Sequence, residues 1–404
     1  MAWAVARKEI LSTIRDRRAI ISNLLIPVLL LPTIMLGLPL VLGGLFQREQ
    51  ASQTPVAIEG AAHLPSELRE AIEAQRVDIT ETDDALTLVR DDEVSAALQV
   101  PEDFEARVAA GEAPQLSLVR KTGNLESELA AGKLNDAISS YRRGIVTDRL
   151  EAAGLDPSVL EPLRVERLDA SRPEERSSGQ LAWLIPFFIA VWALAGGQMT
   201  ALDATAGEKE RGTLEALLVA PVRRVEVVAG KFLATLLSGL SAAFMAIVGV
   251  LVGGALMRRV FLPRLGEEAT EMVAVMGGSL SVSLSGLWVL LGSAVLLAAA
   301  VAALLIAVAM FARSFKEAQS YVAPMTFLLI IPAMALQFAD LLDLGQRVYL
   351  VPLMNVMVLM DDVLGGSVRA LDVIASWATM ALLVVALLAF ALRNFRREGV
   401  IFRT

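Results

Sequence analysis

The residues best placed to do chemistry stand in one polar stretch, Gly207-Glu-Lys-Glu-Arg-Gly-Thr-Leu-Glu-Ala-Leu-Leu-Val-Ala-Pro-Val-Arg-Arg-Val-Glu226. Four consecutive charges, Glu208, Lys209, Glu210 and Arg211, open it, and Gly212 and Thr213 follow. Read as a helix, Glu208, Arg211 and Glu215 fall three and four residues apart on one charged face. Leu214, Leu217 and Leu218 line the adjacent apolar face, and Pro221 ends the turn. The chemistry this permits is ion pairing and docking on another surface. The plainer reading is an interfacial loop helix whose charges are simply solvated.

Catalytic groups are scarce by contrast. The chain has no Cys and one His, His63, which excludes thiolate sites, two-His zinc motifs and a conventional Ser-His-Asp triad. No G-x-x-x-x-G-K-[ST] phosphate loop, H-E-x-x-H or G-x-S-x-G occurs. No catalytic residue, no metal, no cofactor bound by the chain itself and no nucleic-acid partner are expected. The other polar candidates lie within or beside apolar runs: Asn23, Gln198, Thr200, Asp203, Gln337 and Asp340. Polar side chains in such runs mark a candidate substrate path, because an unpaired charge in lipid is costly. Asp203 either binds a cation or pairs with Lys209 or an N-terminal arginine, and pairing is the preferred reading. Asp340, Asp343, Asp361 and Asp362 are an acidic vestibule or solvated loop charges.

The elements that must position these residues are membrane spans. Of 404 residues 55% are hydrophobic, gathered in blocks of a length that crosses a bilayer. Residues 1–18 read as an amphipathic interfacial helix, with Trp3, Ala6, Ile10 and Ile14 on its apolar face and Lys8, Ser12 and Arg15 opposite. Residues 19–46 form span 1, with Pro27, Pro32 and Pro39 predicting a kink or break. Residues 179–404 hold spans 2–6, at 181–206, 227–257, 287–311, 321–339 and 371–392. Residues 207–226 lie between spans 2 and 3. The apolar segment 348–360 is too short to cross and reads as a re-entrant or outer-surface helix. Gly196-Gly197, Gly249, Gly253-Gly254 and the small residues of 298–303 suit close helix packing.

Residues 47–178 differ in kind. They carry 15 basic against 27 acidic residues, whereas the remainder carries 21 basic against 17 acidic, so the overall charge of −8 hides an acidic domain and a basic membrane body. Strands at 55–58, 77–80, 96–100 and 115–119 alternate with helices at 65–75, 83–90, 101–110 and 125–153, which predicts an α/β domain. With both termini cytoplasmic, sixteen basic residues fall in cytoplasmic segments and five in short outer loops. The acidic domain is then extracytoplasmic and 207–226 cytoplasmic.

The run Glu208-Lys-Glu-Arg-Gly-Thr-Leu-Glu-Ala-Leu-Leu-Val-Ala-Pro221, with Gly230-Lys231 following, resembles the signature of type-2 ATP-binding-cassette (ABC) exporter permeases. It is most similar to the branch that contains bacterial sodium-extrusion permeases. More loosely the resemblance covers the whole chain, and 94–104 and 111–118 are similar to the extracytoplasmic domain placed between spans 1 and 2 in that family. The resemblance implies a polytopic α-helical protein of six transmembrane helices, an α/β extracytoplasmic domain between spans 1 and 2, and a cytoplasmic coupling helix between spans 2 and 3. It implies an ABC ATPase subunit in two copies that carries ATP and Mg, a second permease subunit, identical or paralogous, and a bacterial or archaeal cytoplasmic membrane with its lipid. Coupling to the ATPase would fall to Glu208–Arg211, Gly212, Thr213, Leu214, Glu215, Leu217, Leu218 and Pro221. Export of sodium is one implied activity, and export of drugs, lipids or peptides is the alternative. A reading of another class is a membrane-anchored sensor or assembly factor with a ligand-binding outer domain.

Overall fold

The computed structural model describes residues 2–15, 17–51, 53–160, 163, 168, 170, 172, 177–179, 182–213, 222–265, 270, 273, 282–338 and 345–395. By internal contacts the chain divides into two units, residues 42–169 and residues 1–41 with 170–404.

The chain opens with helix α1 (Ala2–Arg15). After the short turn of helix Arg17–Ile20 and a π turn, Ile21–Leu25, α2 (Ile26–Ala51) begins. α2 runs as one helix through Pro27, Pro32 and Pro39, so the expected break is absent. The irregularity instead precedes the first proline, as the wider π turn. The face of α1 also differs from the expected one. Ala6 and Glu9 are buried, while Trp3 is 64% exposed, because the helix packs its Ala6–Glu9 side on the bundle. The side chains of Ser12 and Ile14 lie outside the described set.

Residues 42–169 contain the α/β unit. Its order is β1 (Thr54–Glu59), α3 (Ser66–Glu73), β2 (Val77–Thr82), α4 (Ala85–Arg90), β3 (Ala96–Gln99), α5 (Phe104–Ala109), β4 (Ser117–Arg120) and α6 (Leu125–Ala152). The sheet order is β2-β1-β3-β4, with β1 parallel to β2 and β3 and β4 antiparallel to β3. Alternation in β1 explains the two layers: Val56 and Ile58 join Leu68, Ile72, Leu98 and Leu134 on one face. Ala57 and Ala97 meet Ala85, Val89 and Val94 on the other, where small side chains admit the short α4. Asp84 and Asn124 start α4 and α6 by accepting from Thr87 N (3.1 Å) and Ser127 N (3.2 Å). Gly60 ends β1 with φ +77°, and any Cβ there would lie 2.3 Å from the Val100 carbonyl oxygen.

The other unit is helical: α7 (Leu184–Leu202), α8 (Arg224–Leu256), α9 (Leu284–Ala309), α10 (Phe315–Leu336), α11 (Met354–Leu364) and α12 (Ala370–Phe395). Among the described residues five helices are long and apolar enough to cross a membrane: Leu184–Glu210, Arg224–Arg264, Leu284–Ala309, Phe315–Leu336 and Ala370–Phe395. They coincide with the expected spans 2–6. α7 is central and packs on α8, α9 and α10. Glycine sets the closeness of α7 and α8, since a Cβ on Gly239 would meet the Ala193 carbonyl oxygen at 2.6 Å. Gly249 and Gly253 admit Pro27 and Pro32 in the same way. α11 buries Asn355, Met357, Leu359 and Met360 among α9, α10 and α12, so it is packed within the helical unit.

Candidate functional site

α7 does not stop at Leu202. A π turn, Asp203–Gly207, carries it into the helical turn Glu208–Glu210, and Gly212, at φ +70°, ends it. This places the four motif charges where the ends of several helices converge, and each takes a different partner.

Glu208 points inward and is buried. Its carboxylate pairs with Lys231 of α8, and Lys8 of α1 donates to its other oxygen at 2.6 Å. Lys231 also donates to the Ala204 carbonyl, and Lys8 holds Glu9 at 3.0 Å. Burial alone would lower the Lys8 ammonium, but hydrogen bonds to Glu208 and Glu9 hold it above its ordinary range. Two cations thus clamp one carboxylate and join α1, α7 and α8.

Lys209 reaches the C-terminus of α9, donating to the Met310 carbonyl and to that of Ala312 (3.4 Å). A cation there satisfies carbonyls that no helical N–H can reach. Glu210 turns to the start of α10 and accepts from Phe315 N at 2.8 Å, beside the cap that Ser314 supplies to Glu317 N (3.2 Å). Arg211 folds back on Asp203, with both terminal nitrogens 2.9 Å from one carboxylate oxygen. Thr213 donates to the Glu208 carbonyl at 3.3 Å. Four successive side chains therefore tie α7 to α1, α8, α9 and α10 and close the helix end on itself.

The expected single charged face through Glu208 and Arg211 is not formed, since Glu208 points into the bundle and Arg211 is exposed. Asp203 is paired, as preferred, but with Arg211 and not with Lys209 or an N-terminal arginine. Leu214, Glu215, Leu217, Leu218 and Pro221 lie outside the described residues, as does Asp340.

A polar seam continues from this node along α7 and α8. Ser238 donates to the Gly196 carbonyl (2.7 Å) and accepts from Thr200 (3.0 Å) and Asn23 (3.1 Å). Thr200 is thus held between helices, and Gln198 is partly exposed. The sequence names Lys231 only as part of the motif, and its pairing with Glu208 was missed, although a single charge followed by the apolar run 232–257 signals it. Such a charge demands a buried partner.

A second cluster surrounds α11. Asn355, fully buried, donates to the Ser376 carbonyl (3.2 Å) and Thr379 Oγ1 (2.6 Å). Tyr349 donates to Asp362 at 2.6 Å, and Ser367 lies 3.3 Å from the same carboxylate. Burial raises the Asp362 carboxyl above its usual range, against the lowering effect of those two donors. No group of three or more His, Cys, Asp or Glu able to hold a metal occurs among the described residues.

The family model described as "ABC-2 family transporter protein" matches residues 3–400. The ABC transporter permease protein NatB of Bacillus subtilis (strain 168) is 26% identical over 396 residues, covering 98% of this chain and 97% of that protein. No solved structure matches the chain significantly.

Proposed function

Because the chain belongs to the ABC-2 family of transporter proteins, we propose that it is the exporting permease of a complex with two permease and two ATPase copies. The family places it in a membrane as a transport subunit, with ATP hydrolysis on a separate ABC ATPase subunit and, typically, a second permease beside it. In the proposed arrangement residues 19–46 add a sixth span, both termini are cytoplasmic, and the α/β unit lies outside. Residues 207–226 then face the cytoplasm and dock on the ATPase.

The observation that supports this reading is the node at Glu208–Arg211. A segment pushed by a closing ATPase must pass its displacement to the spans, and rigid links between helix ends do so. Glu208 carries it to α1 and α8, Lys209 to α9 and Glu210 to α10. Arg211 and Asp203 keep the end of α7 stiff.

Sodium is the first substrate to test, because the motif resembles the sodium-extrusion branch. Export of an amphiphilic drug, lipid or peptide is the second reading. An apolar groove on α8 and α9, lined by Leu237, Leu240, Phe244, Ile247, Leu291 and Val295, favours it. The test is to co-purify the chain with its ATPase and measure ATP hydrolysis in proteoliposomes against sodium, lithium, drugs and lipids. Stimulation by one compound names the substrate class. Failure to hold any ABC ATPase would shift the reading to a membrane-anchored sensor.

A further inference from the structure

With Ala6 and Glu9 turned to the bundle, α1 leaves a different face open. Trp3, Arg7, Leu11 and Arg15 recur every four residues and all four are exposed, so they run as one stripe that alternates apolar and basic groups. Lys8 flanks the stripe with a 63% exposed side chain. The helix's single carboxylate, Glu9, is buried and paired with Lys8, so the open face carries positive charge only.

The depth of α1 is fixed by its contacts. Lys8 reaches Glu208, at the end of the membrane-crossing helix Leu184–Glu210, and the chain enters the apolar helix α2 ten residues after α1 ends. A helix held at the level where spans end lies at the membrane surface. From this placement and the charge of the stripe, we propose that the Trp3–Arg7–Leu11–Arg15 face docks on anionic phospholipid headgroups. Trp3 and Leu11 enter the acyl boundary while Arg7 and Arg15 hold phosphate oxygens. This goes beyond the transport reading and does not depend on which side of the membrane α1 occupies.

The test uses the full chain in nanodiscs that contain brominated phosphatidylglycerol or brominated phosphatidylcholine. Emission of Trp3 is isolated as the difference between the chain and its Trp3→Phe variant. Phosphatidylglycerol should be preferred at Trp3 by about fivefold for each arginine. The preference should vanish in Arg7→Gln/Arg15→Gln and survive in Arg7→Lys/Arg15→Lys, which also shows that α1 still folds. Equal quenching by the two lipids would overturn the proposal. So would a preference that persists without the arginines, or a Trp3 that neither lipid quenches, as expected if water or a partner subunit covers the stripe.

Discussion

Glu208 and Lys231 lie 23 positions apart in the sequence and form an ion pair whose side chains are 5% and 3% exposed. The two are not equivalent, because Glu208 also holds Lys8 at 2.6 Å. Removing Lys231 leaves Glu208 a cation, whereas removing Glu208 leaves Lys231 buried without its carboxylate. Breaking a buried pair from one side costs about 3–5 kcal/mol. Glu208→Gln should therefore reach the top of that range and Lys231→Met the bottom. The Glu208→Leu/Lys231→Met double variant should lose less than Glu208→Gln alone. Thermal unfolding of the three variants in nanodiscs checks the order, and additive losses would refute the pairing.

The close approach of α7 and α8 gives a second expectation. A Cβ at Gly239 would sit 2.6 Å from backbone, which cannot yield as a flexible side chain would. Gly239→Ala should cost about 1–3 kcal/mol and separate the two helices. Gly144, within α6, meets nothing within 4 Å. Gly144→Ala should stabilise the α/β unit by about 0.5–1 kcal/mol through helix propensity alone. Circular dichroism melts of both variants test the contrast.

These two cases also show where sequence reading succeeds and where it stops. The α/β unit was legible because its signals are local: alternation in residues 96–100 marks the strand observed as Ala96–Gln99, and the helix expected over 125–153 is observed as Leu125–Ala152. Small residues at Gly196, Gly249 and Gly253 pointed correctly to close packing. The inward turn of Glu208 was not legible from helical spacing. The π turn Asp203–Gly207 inserts extra residues into the helix and rotates everything after it away from a 3.6-residue period. Partners 200 residues away, as Lys8 is from Glu208, leave no periodic trace at all. Ser314 and Glu317 did carry a helix-start signal, and the structure begins α10 at Phe315 and not at the expected residue 321.

Asp362 gives a pH dependence with a definite sign. Burial, reinforced by the nearby Asp372 charge, raises its carboxyl despite hydrogen bonds from Tyr349 and Ser367. A raised carboxyl favours the protonated folded state, so its contribution is complete below the unfolded value of about 4 and is lost as pH rises through the folded value. Asp362→Asn keeps an acceptor for Tyr349 and removes the titration. The variant should gain on the wild type in melting temperature over the pH range that begins at about 4 and extends upward. A constant difference across that range would show that Asp362 keeps its ordinary ionisation.

Glu210 separates two ways in which the motif can act. Its carboxylate accepts from Phe315 N at 2.8 Å, so one role is to cap α10 and carry motion from the end of α7 into that helix. The side chain is also exposed, which would let its charge meet the ATPase directly. Capping needs an acceptor, not a charge, and losing a cap costs about 0.5–2 kcal/mol. If capping governs, Glu210→Gln should keep coupled ATP hydrolysis near the wild-type rate. Glu210→Ala should then lower it severalfold while the ATPase still co-purifies. If charge contact governs, both variants should lose ATPase binding together. Co-purification and stimulated hydrolysis, measured side by side for the two variants, distinguish a lever inside the permease from a plug on its surface.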